Sequence, residues 1–246
     1  MREDLTDITV VLDKSGSMGA VVDDVIGGFN TFLQEQLKAP GEALMSLVFF
    51  DTAYSFAFTG KPLEKVDGLT RESYRPGGMT ALLDATAKAI LDTGARLEKM
   101  DEKERPGKVV LVIMTDGHEN SSKEHNRQQV HDMIEHQKEK YNWHVIFLGA
   151  NVDAFAEGGK IGVQAANAMN FGPTGQGVNA AFKGVSDGMR RLRGTRGIPC
   201  SADYNYFTQQ EQQEGENTTK GDSLSSAVVR TSKHTKTGRT KSKGKA

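Results

Sequence analysis

Hydrophobic positions along roughly the first 190 residues follow two spacings in turn. Continuous apolar runs predict buried strands, and apolar residues recurring every three or four positions predict amphipathic helices. The predicted strands cover residues 7–13, 43–50, 53–58, 108–115, 143–148 and 168–171. The predicted helices cover residues 19–37, 80–100, 123–140, 152–157 and 177–193. The short link at residues 51–52 makes the second and third strands antiparallel neighbours.

This alternation of strands and helices predicts an α/β fold. We expect a Rossmann-like, doubly wound and mostly parallel sheet, with one antiparallel strand and helices on both faces. In such sheets ligands bind beyond the carboxyl ends of the strands, where the strand order reverses. The two strongest strands end next to Asp13 and Asp116 and are expected to be neighbours at that point.

The polar pattern changes near Gln209. No aromatic residue follows Phe207, and Ser, Thr, Gly and Lys dominate, a composition typical of disorder. We therefore predict one domain over residues 1–200, then a linker and a disordered, basic C-terminal tail over residues 201–246.

Charge is unevenly distributed along the chain, with a change near residue 215. The segment from residue 215 onward carries eight Lys or Arg against two acids, a net +6. Because the whole chain is at −1, the preceding residues carry −7. The acidic body argues against nucleic-acid binding by the domain, and the tail, lacking aromatic residues for stacking, would give at most weak contact.

The composition of the chain also indicates its cellular compartment. The single Cys200 excludes an internal disulfide and fits a reducing environment. The first residues are acidic where a secretory signal is basic and then apolar. The longest apolar run, residues 109–114, is too short to span a bilayer. The expected location is the cytoplasm, with no membrane partner.

Candidate chemistry appears where the first strand ends, in the sequence VVLDKSGSM at residues 10–18. Asp13, Ser15 and Ser17 offer three oxygen ligands from one loop, with no neighbouring base to make either serine a nucleophile. The loop lacks the G-x-S-x-G elbow, and the chain lacks a phosphate-binding loop. Oxygen-only sites suit hard divalent cations such as Mg²⁺. Two further loops, at residues 77–80 and 115–117, can supply more oxygens.

These residues together resemble a known site. The series Asp13-x-Ser15-x-Ser17, then Thr80 in Gly-Gly-Met-Thr-Ala-Leu, then Asp116 in Thr-Asp-Gly resembles the metal-ion-dependent adhesion site of the von Willebrand factor type A domain. The resemblance covers about residues 5–195. It is closest to the small, stand-alone, intracellular type A proteins of bacteria and phages.

The resemblance implies roles for these five residues. Ser15 and Ser17 would coordinate Mg²⁺, or Mn²⁺, directly; Thr80 would do so directly or through water, and Asp13 and Asp116 largely through water. The ion would keep an open position that an Asp or Glu of a protein partner can fill. The implied function is a Mg²⁺-dependent protein-interaction module, adaptor or adhesion in kind, that is not an enzyme and has no catalytic residues.

Several alternatives stay open at this point. Glu119 and Asn120 would shape the metal loop or simply form a turn into a helix, and Asp51 would face the crevice or, more simply, cap a hairpin. Lys14 is expected to face solvent. The alternative function is a Mg²⁺-dependent phosphoester hydrolase, which is disfavoured because Ser15 stands where phosphotransfer at an aspartate usually needs a second carboxylate. Five histidines between residues 118 and 144 favour exposed side chains over a zinc site.

Overall fold

The computed structural model of the protein describes residues 1–231, with side chains over residues 1–220. The strands are β1 (Arg2–Asp13), β2 (Glu42–Phe50), β3 (Tyr54–Pro62), β4 (Pro106–Thr115), β5 (His144–Gly149) and β6 (Ala168–Asn170). The helices are α1 (Val22–Lys38), α2 (Leu82–Glu98), α3 (Arg127–Tyr141), α4 (Ala154–Lys160), α5 (Gly175–Gly194) and α6 (Gln209–Thr231). In this part of the chain, no helix is long and apolar enough to cross a membrane.

The strands form one sheet in the order β3-β2-β1-β4-β5-β6. All neighbours pair in parallel except β2 and β3, which are antiparallel. The predicted α/β fold is therefore confirmed. The strand order reverses between β1 and β4, which pair with Leu12 opposite Met114, so Asp13 and Thr115 end adjacent strands at the switch point.

Helices cover both faces of the sheet because each strand buries side chains on both sides. On one face α1 and α5 pack over the even-numbered residues of β1, and on the other α2, α3 and α4 pack over residues that include Val11. Gly28 on α1 is in close contact with the Phe182 ring of α5, and a β-carbon there would clash with that ring. The glycine lets the two helices approach each other.

Helix α3 begins at Arg127, four residues later than predicted. The backbone N–H groups of Lys123, Glu124 and His125 donate instead to the carboxylate of Asp84 on α2. Asn126 then starts the helix through a capping box. The loop that precedes α3 is thus fastened to α2 rather than wound into the helix.

The segment after residue 200 differs from the sequence prediction of a linker and disorder. Tyr206 and Phe207 are buried in the core, and α6 follows them. Arg191 of α5 donates from both terminal nitrogens to Glu211 at 2.8 Å, and Thr218 Oγ1 accepts the Gly172 N–H at 2.8 Å. α6 is attached through polar contacts rather than through an apolar face. Its sequence is poor in apolar residues, and for that reason it predicted disorder. The remainder of the predicted tail, residues 232–246, lies outside the described residues, and the domain boundary at residue 200 stays a prediction.

Candidate metal centre

The carboxylate of Asp13 is held from several sides at the end of β1. Its Oδ2 accepts the Thr115 hydroxyl at 2.6 Å, and its Oδ1 accepts the Ser15 N–H at 2.6 Å. The hydroxyl of Tyr74, itself buried, donates to the Asp13 carbonyl at 2.6 Å. Asp13 is fully buried, so its position and orientation are fixed by these bonds.

Hydroxyl and carboxylate oxygens from three loops converge beside Asp13. Ser15 Oγ lies 3.1 Å from Ser17 Oγ, and Ser17 Oγ donates to Asp116 Oδ1 at 2.6 Å. A β-carbon built on Gly117 would lie 3.6 Å from Thr80 Oγ1 and 3.9 Å from Ser17 Oγ. The structure thus gathers the five residues that the sequence singled out at the switch point of the sheet.

The electrostatics of this cluster favour a cation. Burial raises the pKa of Asp13 to about 6, with a further contribution from the nearby charge of Asp116, and burial also raises the pKa of Asp116. Lys14 does not offset this charge, because its ammonium group lies 2.9 Å from Asp51 instead. The cluster offers two buried carboxylates and three hydroxyls, a donor set that fits a hard divalent cation.

Asn120 supports the loop that carries Thr80. Its side-chain oxygen accepts the Thr80 N–H at 2.9 Å, and its own N–H donates to the Thr80 carbonyl at 3.1 Å. This two-way contact ties the Thr80 loop to the loop after β4. Asn120 therefore positions the loop of a candidate ligand through its two hydrogen bonds to the Thr80 backbone.

Glu119 and Asp51 hold the backbone around the site. The carboxylate of Glu119 accepts the N–H of Leu83 at 2.9 Å and the N–H of Ser122 at 2.7 Å, so it caps the start of α2. Asp51 accepts the Ala53 N–H at 2.9 Å, as a hairpin cap does, and pairs with Lys14. The prediction that Lys14 faces solvent is replaced by this partly buried ion pair.

Two contacts of Asp13 were not predicted from the sequence. Thr115 lay in a loop that was expected to supply oxygens, and as a hydroxyl residue that ends a buried strand directly before a candidate ligand it carried a signal, but its bond to Asp13 was not predicted. Tyr74 carried none, because it lies in a polar loop and its contact with β1 depends on how that loop folds back.

The five histidines between residues 118 and 144 do not form a metal site. In the part of the chain with described side chains, no three His, Cys, Asp and Glu residues are grouped to hold a metal. The expectation of exposed histidines is wrong for His144, which is 1% exposed and packs edge-on against the Tyr204 ring at 5.2 Å. Burial lowers the pKa of His144 to about 4.

Comparison with known proteins identifies the fold. No protein-family model and no curated protein matches the chain. Among solved structures, proximal thread matrix protein 1 from the mussel byssus superimposes with a TM-score of 0.55 at 15% sequence identity, over 80% of this chain and 48% of that one. The fold is that of a von Willebrand factor type A domain.

A second structure of the mussel protein is described with a zinc-occupied MIDAS motif, the metal-ion-dependent adhesion site. It matches with a TM-score of 0.50 at 15% identity, over 75% of this chain and 46% of that one. This chain therefore spans about half the length of the mussel protein. At such identity the comparison establishes the type A fold alone, and the candidate MIDAS residues are placed by the geometry given above.

Proposed function

We propose that this chain is a type A protein with an intact MIDAS that binds Mg²⁺, or Mn²⁺, and through it a protein partner. The observation that carries the proposal is the position of Ser17 Oγ within hydrogen-bond distance of both Ser15 Oγ and Asp116, beside the buried Asp13. The mussel protein with a zinc-occupied MIDAS supports a divalent metal in this fold.

The choice of oxygen donors explains the kind of binding that we propose. Serine and threonine hydroxyls hold a cation without neutralising it, so a bound Mg²⁺ would supply an electrophilic, open coordination position. In this proposal an Asp or Glu carboxylate of the partner occupies that position. Within the chain, Asn120 keeps Thr80 in place and Thr115 keeps Asp13 in place.

We propose an interaction role rather than catalysis. The hydroxyls of Ser15 and Ser17 bond to each other, and that of Ser17 also donates to Asp116; among the side chains of residues 1–220, neither bonds to an imidazole that would activate it as a nucleophile. The alternative, a Mg²⁺-dependent phosphoester hydrolase, predicts turnover of a generic phosphate ester such as p-nitrophenyl phosphate. Metal-dependent turnover that Asp116→Asn abolishes would replace our proposal with that alternative.

We further propose that the protein is cytoplasmic and of the small, stand-alone bacterial or phage kind. Its single cysteine supports a reducing compartment. Fractionation of the source cells tests the location directly, and recovery outside the cytoplasm would contradict it.

Calorimetric titration with Mn²⁺ and Mg²⁺ tests the metal site. The native protein should bind one ion, and Ser17→Ala and Asp116→Asn should each weaken binding by about tenfold or more. Asp67→Asn is the matched control, because the Asp67 side chain is 94% exposed and pairs with Lys61 away from the site. Equal affinity in the native protein and Asp116→Asn, with the fold checked by circular dichroism, would refute the site.

A further inference from the structure

A cavity of about 570 Å³ lies at the edge of the sheet opposite to the candidate metal centre. Strand β4 begins there at Pro106, and helices α2 and α3 end there at Glu98 and Tyr141. This volume falls within the roughly 300–1,000 Å³ that proteins use to bind small molecules. The apolar wall of the cavity includes Leu97, Val109, Trp143 and Ile198. None of the candidate metal ligands lines it, so it is separate from the candidate MIDAS.

Carbonyl groups at the two helix ends beside the cavity are already bonded within the chain. Arg105 donates from Nε to the Met100 carbonyl at 3.0 Å and from Nη2 to the Glu98 carbonyl at 2.9 Å. In the turn that ends α3, the Trp143 N–H donates to the Gln137 carbonyl at 3.1 Å. These bonds occupy carbonyl oxygens that would otherwise attract a cationic ligand.

The charged side chains that line the cavity are mainly basic. Lys140 is exposed in the last turn of α3 and makes no ion pair with the side chains of residues 1–220. Arg105 bonds to carbonyl oxygens and to no carboxylate in the same range, so its charge is also unpaired. Among the described lining residues, Glu98 is the one acid. This local excess of positive charge contrasts with the −7 that the first 214 residues carry as a whole.

Trp143 gives the wall of the cavity both an aromatic surface and a polar group. The residue is 3% exposed, and its indole N–H donates to no group within residues 1–220 and is not sealed in the core. A buried indole N–H usually has an acceptor. Because Trp143 lines the cavity, a ligand there can supply that acceptor. At the mouth lies Tyr141, which is 63% exposed, with its ring centroid 5.6 Å from that of His136.

We propose that this cavity binds a small organic carboxylate with an aliphatic or aromatic body. The carboxylate accepts hydrogen bonds from Lys140 and Arg105, and the body packs against Trp143 and Leu97. Two bases against one acid give the lining a net charge of +1, which suits a singly charged carboxylate better than a doubly charged phosphate ester. This inference goes beyond the proposed function and does not depend on it, because the cavity and the metal centre share no residue.

The fluorescence of Trp143, the single tryptophan of the chain, reports on this cavity directly. Titration of the full chain with octanoate, octanol and octylammonium separates the charge of the ligand from its apolar body. We expect a saturable change in emission with octanoate, binding about tenfold weaker for octanol, and weaker still for octylammonium. Equal affinity for the three probes would overturn the carboxylate preference. The absence of a saturable change with octanoate would overturn the site.

Replacement of Gly94 by leucine tests the location. Gly94 lines the cavity from α2, and a β-carbon there would meet nothing within 4 Å, so Gly94→Leu should fill the space without a clash. Gly27→Leu is the matched control, because Gly27 lies on α1 with equally open space and does not line the cavity. Octanoate binding should weaken by about tenfold or more in Gly94→Leu and stay unchanged in Gly27→Leu. Undiminished binding in Gly94→Leu would place the ligand elsewhere and overturn the proposal.

Replacement of Lys140 by glutamine tests the charged rim. In Lys140→Gln the preference for octanoate over octanol should shrink from about tenfold to about threefold, while the affinity for octanol itself stays the same. Lys65→Gln is the control, because Lys65 is also exposed but lies in the turn after β3 and does not line the cavity. A preference that remains tenfold in Lys140→Gln would overturn the assignment of the carboxylate to this rim.

Discussion

Thr115 shows how one buried hydroxyl can govern the candidate metal centre. It ends β4, is fully buried, and donates to Asp13 at 2.6 Å from the neighbouring strand. A hydrogen bond to a carboxylate is stronger than one between neutral groups, and it fixes the orientation of Asp13 as well. Thr115 thus links the packing of the two central strands to the geometry of the site.

Replacement of Thr115 by valine should separate its packing between the strands from its hydrogen bond to Asp13. Thr115→Val keeps the shape but removes the donor to Asp13, so we expect metal affinity to fall by about 10–100-fold while the protein stays folded. Calorimetric titration with Mn²⁺ measures the affinity, and thermal melting checks the fold. Thr86→Val is the control, because Thr86 is equally buried but its hydroxyl has no partner among the described residues. Unchanged affinity in Thr115→Val would contradict the positioning role.

His144 should make the stability of the protein depend on pH. Burial lowers its pKa from 6.5 to about 4, so between these values the unfolded chain takes up a proton that the folded protein does not. The free energy of unfolding should therefore fall as the pH decreases from 6.5, by roughly 2 kcal/mol at pH 5. Urea unfolding at pH 7.5 and pH 5 measures this loss. It should shrink in His144→Phe, and an equal loss in that variant would rule out His144 as its source.

Candidate ligands could be found in the sequence because each stands at the end of an apolar run or beside a glycine turn. Asp13, Ser15 and Ser17 follow a strand, and Asp116 follows another. The partners of these residues could not be found the same way. Tyr74 reaches Asp13 across 61 positions, and only the folded loop decides that contact.

The helix α6 is the element that the sequence predicted least well. Its inward positions are Glu211, Gly215 and Thr218, which show no apolar periodicity. The other elements were predictable because strands that are buried on both faces are continuously apolar and their covering helices are amphipathic. α6 instead bonds through polar groups, including Gln212 Nε2 to the Ala168 carbonyl at 2.9 Å.

Truncation should show that α6 belongs to the folded unit. A chain ending at residue 208 loses the Arg191–Glu211 pair and the Thr218 contact with Gly172, so its melting temperature should fall by roughly 5–10 °C. A chain ending at residue 220 keeps these contacts and should melt close to the full chain. Thermal melting of the three proteins compares them directly. Equal melting temperatures would show that α6 adds nothing to stability.

At the scale of the whole molecule, the distribution of charge constrains how a partner can bind. The first 214 residues carry −7 and the following segment +6. An acidic body repels an acidic partner at long range, so attraction in our proposal must come from the metal at short range. A contact of that kind is poorly screened by salt.

A Glu-containing peptide selected against the Mg²⁺-loaded protein should therefore bind in a metal-dependent and nearly salt-independent way. We expect EDTA to abolish binding, and a rise in NaCl from 50 to 300 mM to weaken it by no more than about threefold. Fluorescence anisotropy of the labelled peptide measures both titrations. Attraction to the basic segment after residue 214 would give the opposite result, EDTA-resistant binding that salt removes.

The position of α6 also decides how copies of this molecule can aggregate. Side chains of α6 occupy the outer edge of β6, so strand addition is left to the opposite edge, at β3. There the pairing with β2 is irregular, and the strand ends in Lys61-Pro62, two features that discourage a new strand. Even where two copies pair through β3, the resulting dimer has no further open strand edge, so a third copy cannot add to it. Fibril extension by strand addition stops at a pair as long as α6 stays docked.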